Sequence, residues 1–241
     1  MKIAVISDIH GNLPALIHVL DDIQAREIRQ IYCLGDLADF APWPNECIEL
    51  IKTLNIPCLQ GNHDQWIAED SKIVALANHS AEEARDRELA INHSKATITL
   101  DNKAFLKDLP FQIRLDYKIA AKRWQILLVH AHPDSNNKHL YEQEPDETFA
   151  FLLDREQVDA LIMGHTHYSF VKEIENKWAI NCGSVGRSKE STRDASYLIL
   201  DINEDRIVPE IIQLDYNKWS VRNAIKDSEI PDLYAYFWDA K

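Results

Sequence analysis

The first sixty residues alternate short apolar runs with amphipathic stretches, and this rhythm constrains the fold more than any other feature. Residues 3–7, 31–34 and 57–60 read as strands. Between them, residues 13–26 carry helical spacing through Leu13, Leu16, Ile17, Leu20 and Ile23. Residues 45–54 form a second helix, with Asn45 as N-cap and Cys47, Ile48, Leu50 and Ile51 on its apolar side. A β-α-β-α-β order of this kind implies parallel strands covered by helices.

Polar motifs follow the apolar runs directly. They are Ser7-Asp8-Ile9-His10, Gly35-Asp36-Leu37-Ala38-Asp39, Gly61-Asn62-His63-Asp64, Val129-His130 and Gly164-His165-Thr166-His167. In α/β sheets ligands bind outside the carboxyl ends of the strands, so segments far apart in sequence converge there on one site. Asp8 and His10 are two apart, as are His165 and His167; on an extended strand end such pairs point the same way and reach one ion. Asp36 has two oxygens and can bridge two cations. With Asn62 and His130 these make seven nitrogen and oxygen ligands and no thiolate, a set that suits a pair of Mn²⁺, Fe or Zn²⁺ ions better than Mg²⁺. Their coincidence, each after a strand, sets them apart from His18, His79, His93, His132 and His139, which have no such context. His18 reads as structural or solvent-facing, and His132 as a non-ligand with a substrate-facing role as the alternative.

The rest of the chain is read more coarsely. Residues 65–110 form a helical insertion, with helices over about 72–91 and 101–108, and no Gly/Pro/Ser linker sets them off as a separate domain. Residues 114–118 and 123–129 form a strand pair, 146–153 a helix, and 160–163, 178–182, 196–201 and 207–214 further strands. The tail from 215 carries Trp219, Tyr234, Tyr236, Phe237 and Trp238, which are expected to pack on the body, with a homo-oligomer contact as the alternative.

Composition narrows the partners. The chain has 241 residues and 46% hydrophobic content, enough for one large domain with a substantial core. Thirty-nine acidic against 26 basic residues give a net charge of -13, which repels extended nucleic acid, while a small anion is still drawn to a local metal centre. Cys33, Cys47, Cys58 and Cys182 contain no C-x-x-C pair, which argues against a zinc ribbon or thioredoxin-like site. The opening residues read as a strand rather than a signal peptide, and no apolar stretch is long enough to span a bilayer. A cytoplasmic protein without membrane contact is the expectation.

D-x-H, G-D-x-x-D, G-N-H-D, a strand-end histidine and G-H-x-H, in this order, resemble the calcineurin-like metallophosphoesterase superfamily. The resemblance runs from Asp8 to His167 and on to Asn181-Cys182-Gly183-Ser184-Val185-Gly186, which is similar to the G-S-V-G turn of its small prokaryotic phosphodiesterases. It implies a four-layer α/β/β/α sandwich of two mixed sheets with a dimetal site along their edge. By position it implies that Asp8, His10, Asp36 and His167 hold one metal and that Asp36, Asn62, His130 and His165 hold the other. His63 would then be the non-ligand histidine that protonates the leaving group, oriented by Asp39, with Asp64 as the alternative carboxylate. The implied reaction is hydrolysis of a small phosphate ester by in-line attack of a metal-bridging hydroxide, with His63 as general acid.

Departures refine this. Members that cleave phosphoproteins or split dinucleoside polyphosphates symmetrically carry D-R-G after the second motif, where this chain has Asp39-Phe40-Ala41. Without that arginine a phosphodiester is expected over a monoester, with Mn²⁺ favoured. Arg187 reads as a surface residue, with a replacement clamp as the alternative. An asymmetric dinucleoside polyphosphate hydrolase is the rival enzyme. The metallophosphoesterase-like scaffold subunit of retromer is the non-enzymatic rival, but that subunit lacks the histidine present here as His63.

Overall fold

The computed structural model describes residues 1–73 and 80–239. In chain order the elements are β1 (Lys2–Ile6), α1 (Leu13–Ala25), β2 (Gln30–Cys33), α2 (Pro44–Thr53), α3 (Asn62–Ala68), α4 (Ala81–Thr97) and α5 (Leu100–Asp108). Then come β3 (Gln112–Ile119), β4 (Lys122–Val129), α6 (Asp146–Glu156), β5 (Ala160–Met163), β6 (Ser169–Ile174) and β7 (Lys177–Cys182). The chain continues through β8 (Ala195–Ile202), β9 (Ile207–Leu214), α7 (Lys218–Lys226), α8 (Asp232–Ala235) and a 3₁₀ turn at Tyr236–Trp238.

The strands form two mixed sheets, in the orders β2-β1-β8-β9 and β3-β4-β5-β7-β6. Period-two alternation builds the layers. From β1, Ile3 and Val5 point between the sheets, where they meet Leu128, Ile162 and Ile180 of the second sheet, while Ala4 and Ile6 point outward under α1 and α2. From β4, Ile126 and Leu128 face inward, whereas Leu127 and Val129 pack with Phe149 and Leu153 of α6. Helices outside both sheets therefore complete an α/β/β/α sandwich, as the family resemblance implied.

Several boundaries differ from the sequence reading. The run 57–60 is no strand; it makes a single parallel bridge between Cys33 and Cys58. Pro57 has no N–H to extend a ladder, and the chain bends at once into α3. Asn45 is not an N-cap, because α2 begins at Pro44, a residue suited to the first helical turn. The Asn45 side chain instead accepts from the Thr99 N–H (3.0 Å) and donates to the Thr97 carbonyl (2.9 Å), fastening the insertion to α2. The first insertion helix starts later than read: α4 opens at a capping box in which Ser80 Oγ accepts the Glu83 N–H at 3.2 Å and Glu83 accepts the Ser80 N–H at 2.8 Å. The stretch 74–79 of that reading lies outside the described residues. Ala90, Ile98 and Leu106 of the insertion share the core of α1 and α2.

Strand β6 has no clear sequence signal, because Lys172 and Glu173 interrupt its apolar pattern; it is an edge strand that buries only Phe170 and Ile174. The tail packs on the body in part: Tyr234 and Trp238 are buried, and Trp238 Nε1 donates to Tyr216 Oη at 2.8 Å, whereas Trp219 and Tyr236 are exposed. No helix among the described residues is long and apolar enough to cross a membrane.

Candidate metal centre

The polar motifs meet at the carboxyl edge shared by the two sheets, tied by backbone bonds. Asp8 N–H donates to Gly35 O at 3.0 Å, His10 N–H to Asp36 O at 2.9 Å, Gly164 N–H to His130 O at 2.8 Å and Gly186 N–H to Asp8 O at 3.0 Å. The side chains do not converge by extended i, i+2 geometry. Asp8, His10, Asp36, His165 and His167 all have left-handed backbones, with φ between 51° and 65°. Non-glycine residues hold this conformation only where the surroundings over-determine it, and such positions concentrate at functional sites. These strand ends thus turn sharply and throw their candidate ligands toward the common centre.

Asp8, His10 and His167 place one ligand atom each within 4.8 Å of one another, and Asp36, His130 and His165 do the same. Asp36 Oδ2 lies between the two groups, 3.7 Å from His10 Nε2 and 3.5 Å from His130 Nε2. Asn62 Oδ1 joins the second group, 2.9 Å from His130 Nε2.

The lone pairs in this cluster confront one another. His10, His130 and His167 each give Nδ1–H to a backbone carbonyl, of Ala38 (3.2 Å), Leu34 (3.0 Å) and Arg187 (2.8 Å). That fixes their tautomers and leaves each Nε2 as an acceptor. Yet His10 Nε2 and His167 Nε2 stand 3.1 Å apart, and Asp8 Oδ1 lies 3.2 Å from His167 Nε2. Asp8 Oδ1 and His165 Nε2 are buried with no hydrogen-bond partner among the described residues. Burial holds the His10, His165 and His167 rings neutral, pushing His10 well below its ordinary value, His165 down to about 2 and His167 to about 4. Burial and the neighbouring Asp8 carboxylate are among the causes that raise Asp36 well above the usual carboxylate range. Acceptor atoms opposed in this way suit divalent cations.

His63 stands apart from these acceptors. Its Nδ1 is 2.8 Å from Asp39 Oδ2, and its pKa is raised, the Asp36 and Asp39 carboxylates overcoming the effect of burial. Asp39 is fully buried and also accepts from the Phe40 N–H (2.9 Å) and Ser94 Oγ (3.2 Å). Asp64 is differently engaged: it accepts the N–H groups of Asp36 (2.7 Å), Leu37 (2.9 Å) and Gly61 (3.0 Å), bracing the second and third motifs.

A cleft of about 1210 Å³ opens over this centre. On the side of His10, His63 packs on Trp66 (4.7 Å between centroids) and on Phe40 (4.9 Å), which in turn packs on Tyr234 (5.1 Å). On the side of His165, His139 lies 4.3 Å from the His165 ring and stacks on Tyr141 at 5.4 Å. Helix α4 adds Arg87 and Ile91 to one wall. Sequence reasoning missed His139, which follows no strand and has no motif partner. His132 does not line the cleft; its Nδ1 accepts the Asp134 N–H at 3.1 Å. His18 is exposed on α1.

Arg187 corrects the sequence reading. It is no surface arginine: its guanidinium lies 4.0 Å from the Phe40 ring and 4.6 Å from the Phe237 ring, and it lines the cleft. The preceding Gly186 is why. A Cβ there would fall 1.7 Å from Ile9 O, so the turn packs flush on the first motif and carries Arg187 inward.

A profile of the calcineurin-like phosphoesterase superfamily domain matches residues 1–205. The chain belongs to the calcineurin-like phosphoesterase superfamily. It is 32% identical to an uncharacterised protein of Methanocaldococcus jannaschii over 247 aligned positions, covering 95% of this chain and 94% of that one. The fold of a Sphaerobacter thermophilus metallophosphoesterase matches with a TM-score of 0.76 at 23% identity, covering 100% of this chain and 98% of the other. A hypothetical protein of Pyrococcus horikoshii OT3 matches with a TM-score of 0.81 at 21% identity, over 97% and 96% of the two chains. Membership makes this a phosphoesterase domain, and the Asp/His groups supply its candidate divalent-metal site.

Proposed function

We propose that this phosphoesterase hydrolyses a small phosphodiester with two divalent metal ions. Asp8, His10, Asp36 and His167 would hold one, and Asp36, Asn62, His130 and His165 the other, with Mn²⁺ the favoured metal. The observation that carries the reading is the set of opposed acceptor atoms around Asp36 beside the His63–Asp39 pair. When bound, the metal pair supplies an activated nucleophile and neutralises phosphoryl charge.

The remaining work falls to the chain's own groups. Asp39 holds His63 through Nδ1, which leaves Nε2 to give a proton to the departing oxygen. The Asp39 carboxylate on Nδ1 favours the protonated ring. Asp64 keeps the loops that present Asp36 and Asn62 in register. Trp66 and Phe40 cover the His63 side and limit access of bulk water to the leaving group.

The cleft supports a diester over a monoester. Aromatic side chains flank the centre on both sides, Trp66 and Phe40 toward His63, and His139 and Tyr141 toward His165. Two organic substituents therefore find apolar surface, whereas a monoester leaves one side unfilled. Side-by-side kinetics on bis-nitrophenyl and mono-nitrophenyl phosphate with Mn²⁺ test this. A higher kcat/KM is expected for the diester, and a clear preference for the monoester would overturn the assignment.

A further inference from the structure

We propose that Arg187 is the anion clamp of this cleft, a specificity-determining residue that grips a non-bridging phosphoryl oxygen of the substrate. The inference rests on the phosphoesterase reading for the identity of its ligand. It replaces a missing element from elsewhere in the chain: where D-R-G relatives would carry an arginine, this protein has Phe40, and the ring of Phe40 is the platform on which Arg187 lies.

The guanidinium lies over aromatic rings. Phe40 and Phe237 lie 4.0 and 4.6 Å from it, and Arg193 backs the same Phe237 ring at 4.2 Å. Nε is sealed from solvent and has no hydrogen-bond partner among the described residues. No carboxylate forms an ion pair with it there either. The acid that acts on it electrostatically is Asp39, whose oxygens are engaged by His63, Ser94 and the Phe40 N–H. A sealed Nε–H without a partner is costly, and contact with aromatic rings offsets only part of that cost. An anionic ligand in the cleft offsets the rest. A guanidinium suits a phosphoryl group because its planar fork matches two oxygens at once.

The surroundings hold this fork in place. Arg187 N–H donates to Ser184 Oγ at 2.8 Å, and its carbonyl accepts from His167 Nδ1 at 2.8 Å, so its backbone is tied directly to a candidate metal ligand. Phe237 is positioned by its neighbour: Trp238 Nε1 donates to Tyr216 Oη at 2.8 Å, Asn12 Nδ2 donates to the same hydroxyl at 3.0 Å, and Asn12 Nδ2 also donates to Gly186 O at 2.8 Å. One network thus locks the C-terminal tail to the turn that carries Arg187. The competing role for Arg187 is purely structural, a cation that glues the tail to the body.

The two roles separate on binding. Orthophosphate affinity of the Mn²⁺-loaded full chain is measured by calorimetry for wild type, Arg187→Gln and Arg187→Met, alongside Mn²⁺ content and thermal unfolding. Methionine keeps the length and apolar packing of the stem should glutamine fail to fold. Both variants are expected to retain their metal and to bind orthophosphate on the order of 10–100-fold more weakly, the worth of a charged hydrogen bond. The loss of kcat/KM on bis-nitrophenyl phosphate is expected to appear mainly in KM. Wild-type orthophosphate affinity in a folded variant, with or without a lowered Tm, overturns the clamp. Failure of the wild type to hydrolyse any ester would remove the phosphoesterase reading, yet weakened orthophosphate binding in the variants would still support the clamp. Normal turnover with normal orthophosphate binding would remove the clamp alone.

Discussion

His10 and His167 present Nε2 to Nε2 at 3.1 Å, each with its Nδ1 committed to a backbone carbonyl. Neither ring can turn to relieve the opposition without breaking a buried hydrogen bond. Protonating one of them is also resisted, because burial holds both pKa values down. A cation between them removes the conflict, so metal should stabilise the fold. Mn²⁺ is expected to raise Tm and a chelator to lower it, with stabilisation of about 2.7 kcal/mol when free metal is a hundred times Kd. Differential scanning calorimetry checks this, and His167→Ala should lose most of the response. A Tm indifferent to both metal and chelator would contradict the assignment.

Asp64 supports the centre without belonging to it. Its carboxylate accepts four backbone N–H groups from the second and third motifs, three at 2.7–3.0 Å and that of Ala38 at 3.4 Å. Asp64→Ala leaves these donors buried and unpaired, at about 1–3 kcal/mol each. The expected outcome is a strongly destabilised protein whose metal affinity falls as well. Urea unfolding and metal titration measure the two effects, and an Asp64→Ala protein of near wild-type stability would show that the loops hold without it.

Far from the cleft, Tyr197 Oη donates to Asp22 Oδ2 at 2.5 Å, and Arg26 Nε donates to the same carboxylate at 2.7 Å. Burial acts to raise the Asp22 pKa, but these two donors outweigh it and the net shift is downward. A carboxyl depressed in the folded state contributes stability above its unfolded value of about 3.9 and loses it as pH falls through the folded value. Tyr197→Phe is therefore expected to cost about 1 kcal/mol at neutral pH, and the gap to wild type should shrink below about pH 3. Urea unfolding at both pH values tests it; an equal gap at each would assign the cost to packing.

The sandwich and the convergence of the candidate ligands were legible because apolar period and polar strand-end motifs are local patterns. Their geometry was not. Asp8 and His10 were read as neighbours on an extended end, but left-handed turns aim them, and nothing in D-x-H announces a positive φ. The run 57–60 read as a strand because its apolar residues obey the pattern, while Pro57 limits its pairing. The inward course of Arg187 depends on Gly186 meeting Ile9, and its aromatic bracket depends on Phe237, both contacts between distant segments. His139 belongs to the cleft only through its contact with His165.

The measurement that bears most directly on the proposed chemistry is hydrolysis by Mn²⁺-loaded His63→Ala of diesters with good and poor leaving groups, with metal content determined on the same samples. If Asp39 orients His63 to protonate the departing oxygen, both metals stay bound and the rate on alkyl leaving groups falls by about two to four orders of magnitude. The loss should be much smaller for nitrophenolate, which departs without a proton. Loss of metal from His63→Ala, or an equal loss for both kinds of leaving group, would contradict the general-acid assignment.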